Sequence, residues 1–348
     1  MRTIDVVRHA LRLPTLTRLR ILIVKLSSLG DVVHALPVVA DIRAAHADAV
    51  IDWVVEPAFA PLVRAVRGIA EVVELPLRRW AGAGWLRAAT SGEAGAFLRR
   101  LRRERYDAVI DLQGLTKSAV IASIARGPSY GLANRTDGAS HEWPARALVT
   151  QAIRVEPKSH ALDRSRELVS KALGISIAAV PDFGLGRAAA SRPGQPGPVV
   201  LIHGSSRADK LWPEASWIEL GRRLAADGFH IALPSGDEEE RTRAARIGAG
   251  IRASSGADVE VWPSMNLAAL LDRMAGSSGA IGVDSGPSHI AVALGLPHVQ
   301  IYNHATAWRT GPQARHGHRH QVSIEAVPTP TLDAVWSAWQ QVRASPTA

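Results

Sequence analysis

Asp31 falls in the segment Lys25-Leu26-Ser27-Ser28-Leu29-Gly30-Asp31-Val32-Val33-His34-Ala35-Leu36-Pro37, a Gly-softened turn directly behind the apolar run Ile21-Leu22-Ile23-Val24. A carboxylate held at such a turn can take a proton from an attacking hydroxyl, and it can equally cap the helix that follows. The segment alone leaves base and cap open. Gly204-Ser205-Ser206-Arg207-Ala208-Asp209-Lys210-Leu211-Trp212-Pro213 offers hydroxyls, backbone N–H groups and a cation to an anionic ligand. In Asp284-Ser285-Gly286-Pro287-Ser288-His289, Gly286 lets backbone approach a ligand, and a helix expected from about Ser288 adds free N–H groups and a positive dipole end. The two clusters together have the makings of a diphosphate cradle. A third group, Pro234-Ser235-Gly236-Asp237-Glu238-Glu239-Glu240 with Trp262-Pro263-Ser264-Met265-Asn266, could set a carboxylate on ribose hydroxyls and Met265 on a purine face. Plainer roles compete throughout: Ser205 and Ser288 as caps, His289 in the core, Lys210 in an exposed loop, and the acidic run as a complement to a helix dipole.

These residues need strands that end where they begin. Short β-branched runs predict strands at 21–26, 50–55, 71–75 and 108–112, alternating with helices near 32–45, 59–66 and 95–105. A second series predicts strands at 199–203, 230–234, 259–262, 280–283 and 298–302, with helices near 217–226, 238–249, 267–275 and 289–294. Both series read as βαβ architecture, and each candidate cluster follows the carboxyl end of a strand, where open α/β sheets bind ligands. Ser191 to Pro198, rich in Pro and Gly, breaks both regular elements and predicts a linker. The expected domains are therefore 21–190 and 191–330, preceded by a basic extension over 1–20 and followed by 331–348. A final helix over 332–343 could pack back across the domain boundary.

The chain has 348 residues, 47% hydrophobic and 21% charged, enough for two globular domains. It has no 18-residue apolar run, and arginines interrupt the first 20 residues, so neither a spanning helix nor a signal peptide is expected. With no cysteine, disulfides and thiolate chemistry are excluded. The excess charge of +9 lies wholly in the first half: residues 1–180 hold 26 basic against 17 acidic side chains, and 181–348 hold 15 against 15. Such a half attracts an anionic partner. Nucleic acid is disfavoured, because no zinc spacing or aromatic RNA-binding motif accompanies the charge. Walker A and G-x-G-x-x-G signatures are missing, as are paired aspartates one residue apart and H-E-x-x-H, so no metal site and no cofactor are expected.

Four motifs carry a family resemblance: Val24 to His34, Tyr106-Asp107-Ala108-Val109-Ile110-Asp111-Leu112-Gln113-Gly114-Leu115, Asp209 to Pro213, and Val283 to His289. In these the chain resembles the bacterial lipopolysaccharide heptosyltransferases, most closely the type I enzymes of the inner core. The resemblance implies the GT-B fold, two Rossmann-like domains facing each other across a cleft, with the acceptor on the first and ADP-heptose on the second. It implies inverting transfer of heptose to the Kdo of Kdo2-lipid A, by a cytoplasmic enzyme at the anionic inner face of the membrane. Carried over residue by residue, Asp31 becomes the base and Lys210 the cation that meets the leaving diphosphate in place of a metal ion. Ser205, Ser206, Glu238, Met265, Asp284, Ser285, Gly286 and His289 join Lys210 at the donor, with Asp284 expected to hold sugar hydroxyls or brace its loop. Lys25, Ser28, Gly30, Arg78, Arg79 and Gln113 fall to the acceptor. Two alternatives stand beside this: a relative acting on an already heptosylated acceptor, and a non-catalytic nucleotide-sugar or lipid-surface binding protein.

Overall fold

A computed structural model describes residues 18–82, 84–186 and 197–344. The extension over 1–17 and most of the expected linker, 191–196, lie outside the described residues. The strands are β1 (Arg20–Val24), β2 (Val50–Val55), β3 (Ile69–Glu74), β4 (Ala108–Asp111), β5 (Ser129–Leu132), β6 (Gln151–Ile153), β7 (Val199–Ile202), β8 (Ile231–Leu233), β9 (Val259–Val261), β10 (Gly279–Val283), β11 (His298–Tyr302) and β12 (Gln321–Glu325). The first eight helices are α1 (Leu29–Ala35), α2 (Pro37–Ala45), α3 (Ala60–Arg64), α4 (Leu77–Trp80), α5 (Gly84–Thr90), α6 (Glu93–Leu101), α7 (Thr116–Ile124) and α8 (Trp143–Leu148). The rest are α9 (Ala161–Leu173), α10 (Glu214–Ala226), α11 (Glu238–Ser255), α12 (Leu267–Ala275), α13 (Gly286–Ala293), α14 (Ala307–Thr310) and α15 (Leu332–Ala344).

Two six-stranded sheets result, ordered β3-β2-β1-β4-β5-β6 and β12-β11-β10-β7-β8-β9. Their strand pairs are parallel throughout. Parallel strands covered on both faces need near-continuous apolar sequence, and β1, β4, β7 and β10 supply it. In each sheet the strand order reverses at the central pair, β1/β4 or β7/β10, which opens a crevice at the carboxyl ends. The Asp31 loop follows β1, the Ser205–Lys210 loop follows β7 and the Asp284 loop follows β10. This is the GT-B arrangement.

Several boundaries depart from the expected ones for local reasons. The helix expected over 32–45 is two helices, broken at Leu36 because Pro37 cannot donate to the preceding turn and instead opens α2 at its first position. Helix α1 begins at Leu29, so Asp31 lies inside the first turn. Helix α13 begins at Gly286, bringing its free N–H groups directly to Ser285 and Gly286. The final helix does not cross the domain boundary: Val335, Ala338, Trp339 and Val342 are buried in the core of the second sheet.

The domains meet along α1 against α13, α3 against α12 and α9 against α14. One buried apolar cluster runs continuously from Val32, Val33 and Val63 in the first domain to Met274, Ile290 and Val292 in the second. Within the first domain, α9 is tied to α2 by a buried bidentate pair, with Arg166 Nε and Nη2 each 2.7 Å from a carboxylate oxygen of Asp41. Among the described residues, no helix is long and apolar enough to cross a membrane.

Candidate active site

Asp31 is both cap and candidate base. Its Oδ2 accepts hydrogen bonds from Ser28 N at 3.3 Å and Ser28 Oγ at 2.9 Å, closing the first turn of α1. Its Oδ1 faces Lys25 Nζ at 4.0 Å and Arg164 Nη2 at 3.8 Å, and the side chain is 39% exposed. Burial acts to raise the Asp31 pKa, yet Lys25, Arg164 and the Ser28 hydrogen bonds together hold it below the ordinary value of 3.8. Asp31 is therefore a carboxylate at neutral pH, ready to accept a proton.

Lys25 was expected at the acceptor; the structure instead buries it beneath Asp31, 2% exposed, with Nζ donating to Leu112 O at 3.3 Å. Burial pulls its pKa down, partly offset by Asp31. Its position makes it a partner of Asp31. Replacing Lys25 by Met should let burial dominate at Asp31, so that the carboxylate pKa rises and the acid limb of the pH–rate profile moves to higher pH. A wild-type rate that loses activity only as pH falls below the ordinary Asp range, against a Lys25→Met rate that fails earlier, is the expected pair of curves. Superimposed acid limbs would remove Lys25 from this role.

Across the cleft, Lys210 Nζ donates to Asp284 Oδ2 at 2.6 Å, and Asp284 Oδ1 lies 3.3 Å from His289 Nε2 and 3.5 Å from Thr310 Oγ1. Burial would raise the Asp284 pKa, but the His289 and Lys210 contacts reverse this and hold it well below its ordinary value. These contacts let Asp284 brace the Lys210 side chain. The Lys210 loop is fixed from behind: Asn303 Nδ2 donates to Asp209 O and Leu211 O at 3.0 and 2.9 Å, and buried Trp212 donates its Nε1 to Pro330 O. Ser285 Oγ is buried and without a hydrogen-bond partner.

A cleft of about 430 Å³ collects Ser28 and Gly30 from the first domain with Ser205, Ser206, Lys210, Met265, Asp284, Ser285, Gly286 and His289 from the second. Glu238 is not among its walls. That side chain is 74% exposed and paired with Arg241, whereas Glu240 lines the cleft and accepts from Gly236 N at 2.7 Å. The Asp237 cap fixes the helix register, and residues two apart on a helix point about 200° from each other, so only one of the two glutamates can face inward. A Cβ at Gly204 would come within 2.3 Å of Glu240 Oε1, so a side chain there would displace the Glu240 carboxylate from its present position.

A second hollow of about 370 Å³ lies in the first domain, lined by Leu26, Ser27, Glu56, Arg78, Gln113 and Lys117 among others. Gln113 has a structural task as well, because its Oε1 accepts from Leu26 N and Ser27 N and so holds the base loop. Arg79 lies outside this hollow, paired with Glu93. The loop 27–31 thus forms the ridge between the two spaces, with Ser27 in one wall and Ser28 to Gly30 in the other.

Arg164, Thr310 and Asn303 were not foreseen and belong to no motif near the residues they support, whereas Glu240 lies in the expected acidic cluster but was passed over for Glu238. Against the expectation of no metal site, His160, Asp163 and His316 converge with ligand atoms within 4.8 Å of one another. Each is already engaged: His160 with Gly311 O and Leu162 N, and Asp163 with His316 and Arg315. The trio ties α9 to the second domain.

Residues 94–333 match the model of glycosyltransferase family 9 (heptosyltransferase). The chain is 37% identical over 288 residues to lipopolysaccharide heptosyltransferase 1 of Escherichia coli K12, covering 82% of this chain and 88% of that protein. It is 36% identical over 301 residues to the protein of that name from Pseudomonas aeruginosa, covering 85% and 82%. The solved structure of E. coli heptosyltransferase WaaC with ADP-2-deoxy-2-fluoro heptose superposes with a TM-score of 0.77 at 34% identity, over 92% of this chain and 98% of that one.

Proposed function

Because the chain belongs to glycosyltransferase family 9, the heptosyltransferases, we propose that it transfers L-glycero-D-manno-heptose from ADP-heptose to the Kdo of Kdo2-lipid A with inversion. Heptose transfer in inner-core lipopolysaccharide synthesis follows from the family and from relatives that share most of its length. The acceptor is the one the family resemblance implies, and the surplus positive charge of the first half agrees with it. The observation that carries the proposal is the segment 27–30, whose Ser28 to Gly30 line the cradle bearing Lys210 and whose Ser27 lines the hollow bearing Arg78 and Lys117, with the partly exposed Asp31 next in sequence.

In this mechanism Asp31 takes the proton of the attacking Kdo hydroxyl as that oxygen reaches the anomeric carbon from the face opposite ADP. Charge developing on the departing diphosphate meets Lys210, the Ser205 and Ser206 hydroxyls and the N–H groups opening α13. Met265 and Glu240 are placed for the adenosine, with Glu240 taking the role first expected of Glu238. Arg78 and Lys117 suit the carboxylates of Kdo or the phosphates of lipid A. Incubation with both substrates should release ADP in step with acceptor consumption; ADP release that is independent of acceptor would reduce the protein to a hydrolase or a binding module.

Lys210 and the α13 N-terminus supply the positive charge, so turnover should persist in excess EDTA. A loss restored by Mg²⁺ or Mn²⁺ would overturn the metal-independent scheme. The first domain also presents Arg78, Arg87, Arg99 and Arg102 with Leu86 and Leu98 on its exposed surface, which suits an anionic lipid face. The full-length protein should therefore bind phosphatidylglycerol-containing vesicles and release as salt rises, the screening length being about 8 Å at physiological ionic strength. Equal binding to neutral vesicles would exclude electrostatics as the cause.

A further inference from the structure

The base loop and the donor loop touch through two reciprocal notches. A Cβ added at Gly286 would lie 2.5, 2.8 and 3.0 Å from Leu29 Cδ2, Cγ and Cβ. A Cβ added at Gly30 would lie 2.7 Å from His289 Cδ2. Each helix thus pushes one side chain into a glycine of the other: Leu29 of α1 over Gly286 of α13, and His289 of α13 over Gly30 of α1. Both helices are anchored in the core, with Val32 and Val33 of α1 and Ile290 of α13 at most 1% exposed, so a displacement at this contact is carried by the whole helix.

We propose that Leu29, seated on Gly286, is a positioning residue that sets the spacing between the Asp31 base and the diphosphate cradle. The inference rests on the heptosyl transfer assigned above and gives a role to Leu29, an apolar residue of the cleft wall. A methyl at Gly286 would lie 3.0 Å from Leu29 Cβ, so a new Leu29 rotamer can clear its Cγ and Cδ2 but not this contact. Carbon atoms need about 3.5–4.0 Å, so the two helix backbones must part by about half an ångström. A misplacement of about 1 Å can slow a reaction about 10²-fold, and half of that is expected to cost about tenfold or more.

The test is a double-mutant cycle on the full-length protein, using Gly286→Ala, Leu29→Gly and the double variant. ADP affinity is read by calorimetry and transfer by single turnover at saturating substrates. Gly286→Ala should slow transfer by about ten- to a hundredfold with a smaller loss of ADP affinity, and Leu29→Gly added to it should restore most of the rate. A double variant no faster than Gly286→Ala would overturn the proposal, because the methyl would then be striking the donor itself. Thermal unfolding reads the same contact without catalysis: the double variant should be less destabilised than the sum of the singles, and strict additivity would also overturn it. Absence of transfer by the wild type, with that coupling intact, would strike the assigned reaction and leave the spacing role standing.

Discussion

Replacing Asp31 by Asn lowers single-turnover heptosyl transfer by about 10²–10⁴-fold and leaves ADP affinity near that of the wild type. Asn keeps the size of the side chain and can still accept from Ser28, so the first turn of α1 survives. What it loses is the proton acceptor. Lys25 and Arg164 keep their places but face a neutral group, and the attacking hydroxyl no longer has a carboxylate within reach. A near-normal rate in Asp31→Asn would mean that the cap is the whole role of Asp31.

Lys210→Ala acts on binding and chemistry together. The diphosphate is charged in the ground state and gains charge as the glycosidic bond breaks, so affinity for ADP should weaken by about 10–10²-fold and the transfer step by about 10²–10³-fold beyond that. The Asp284 contact does not disable Lys210 for this task. An ammonium has three donors, and with one directed to Asp284 the others remain available for phosphate oxygens. Asp284 also aims the Nζ toward the cleft, and in Lys210→Ala it would remain as an uncompensated anion near the diphosphate. Calorimetry giving an unchanged ADP affinity would place the diphosphate elsewhere.

The central strands and the loops behind them were legible because their signals are local. The run Ile21–Val24 can only be a doubly covered strand, and a turn with Gly30 and Asp31 behind it marks a ligand crevice. The outer strands β5, β6 and β12 were not legible: Ser-Tyr-Gly-Leu, Gln-Ala-Ile and Gln-Val-Ser-Ile-Glu are short and mixed, and they are strands because the strand before each in the sheet offers it a partner. At the site, polar groups facing the cleft were found wherever a motif carried them, as with Ser205, Lys210 and Asp284. Supports that come from remote segments were missed. Arg164 reaches Asp31 only because α9 packs against α1, and Asn303 clamps the Lys210 loop only because β11 ends beside it. Glu238 and Glu240 are chemically equivalent in sequence, and only the register set by the Asp237 cap separates them. Lys25 fell to the acceptor by resemblance alone, and its burial beneath Asp31, which no local pattern signals, makes it a partner of that carboxylate.

The central claim is that the ridge carrying Asp31 passes one heptose from the ADP cradle to a Kdo held over the first domain. Mass spectrometry of the lipid after incubation with ADP-heptose tests this directly, with Kdo2-lipid A and its monoheptosylated form offered in parallel. The account predicts a gain of a single heptose on Kdo2-lipid A, none on the heptosylated lipid, and none on either with Asp31→Asn over the same interval. Heptose added only to the heptosylated lipid, or ADP released with neither lipid gaining mass, would contradict it.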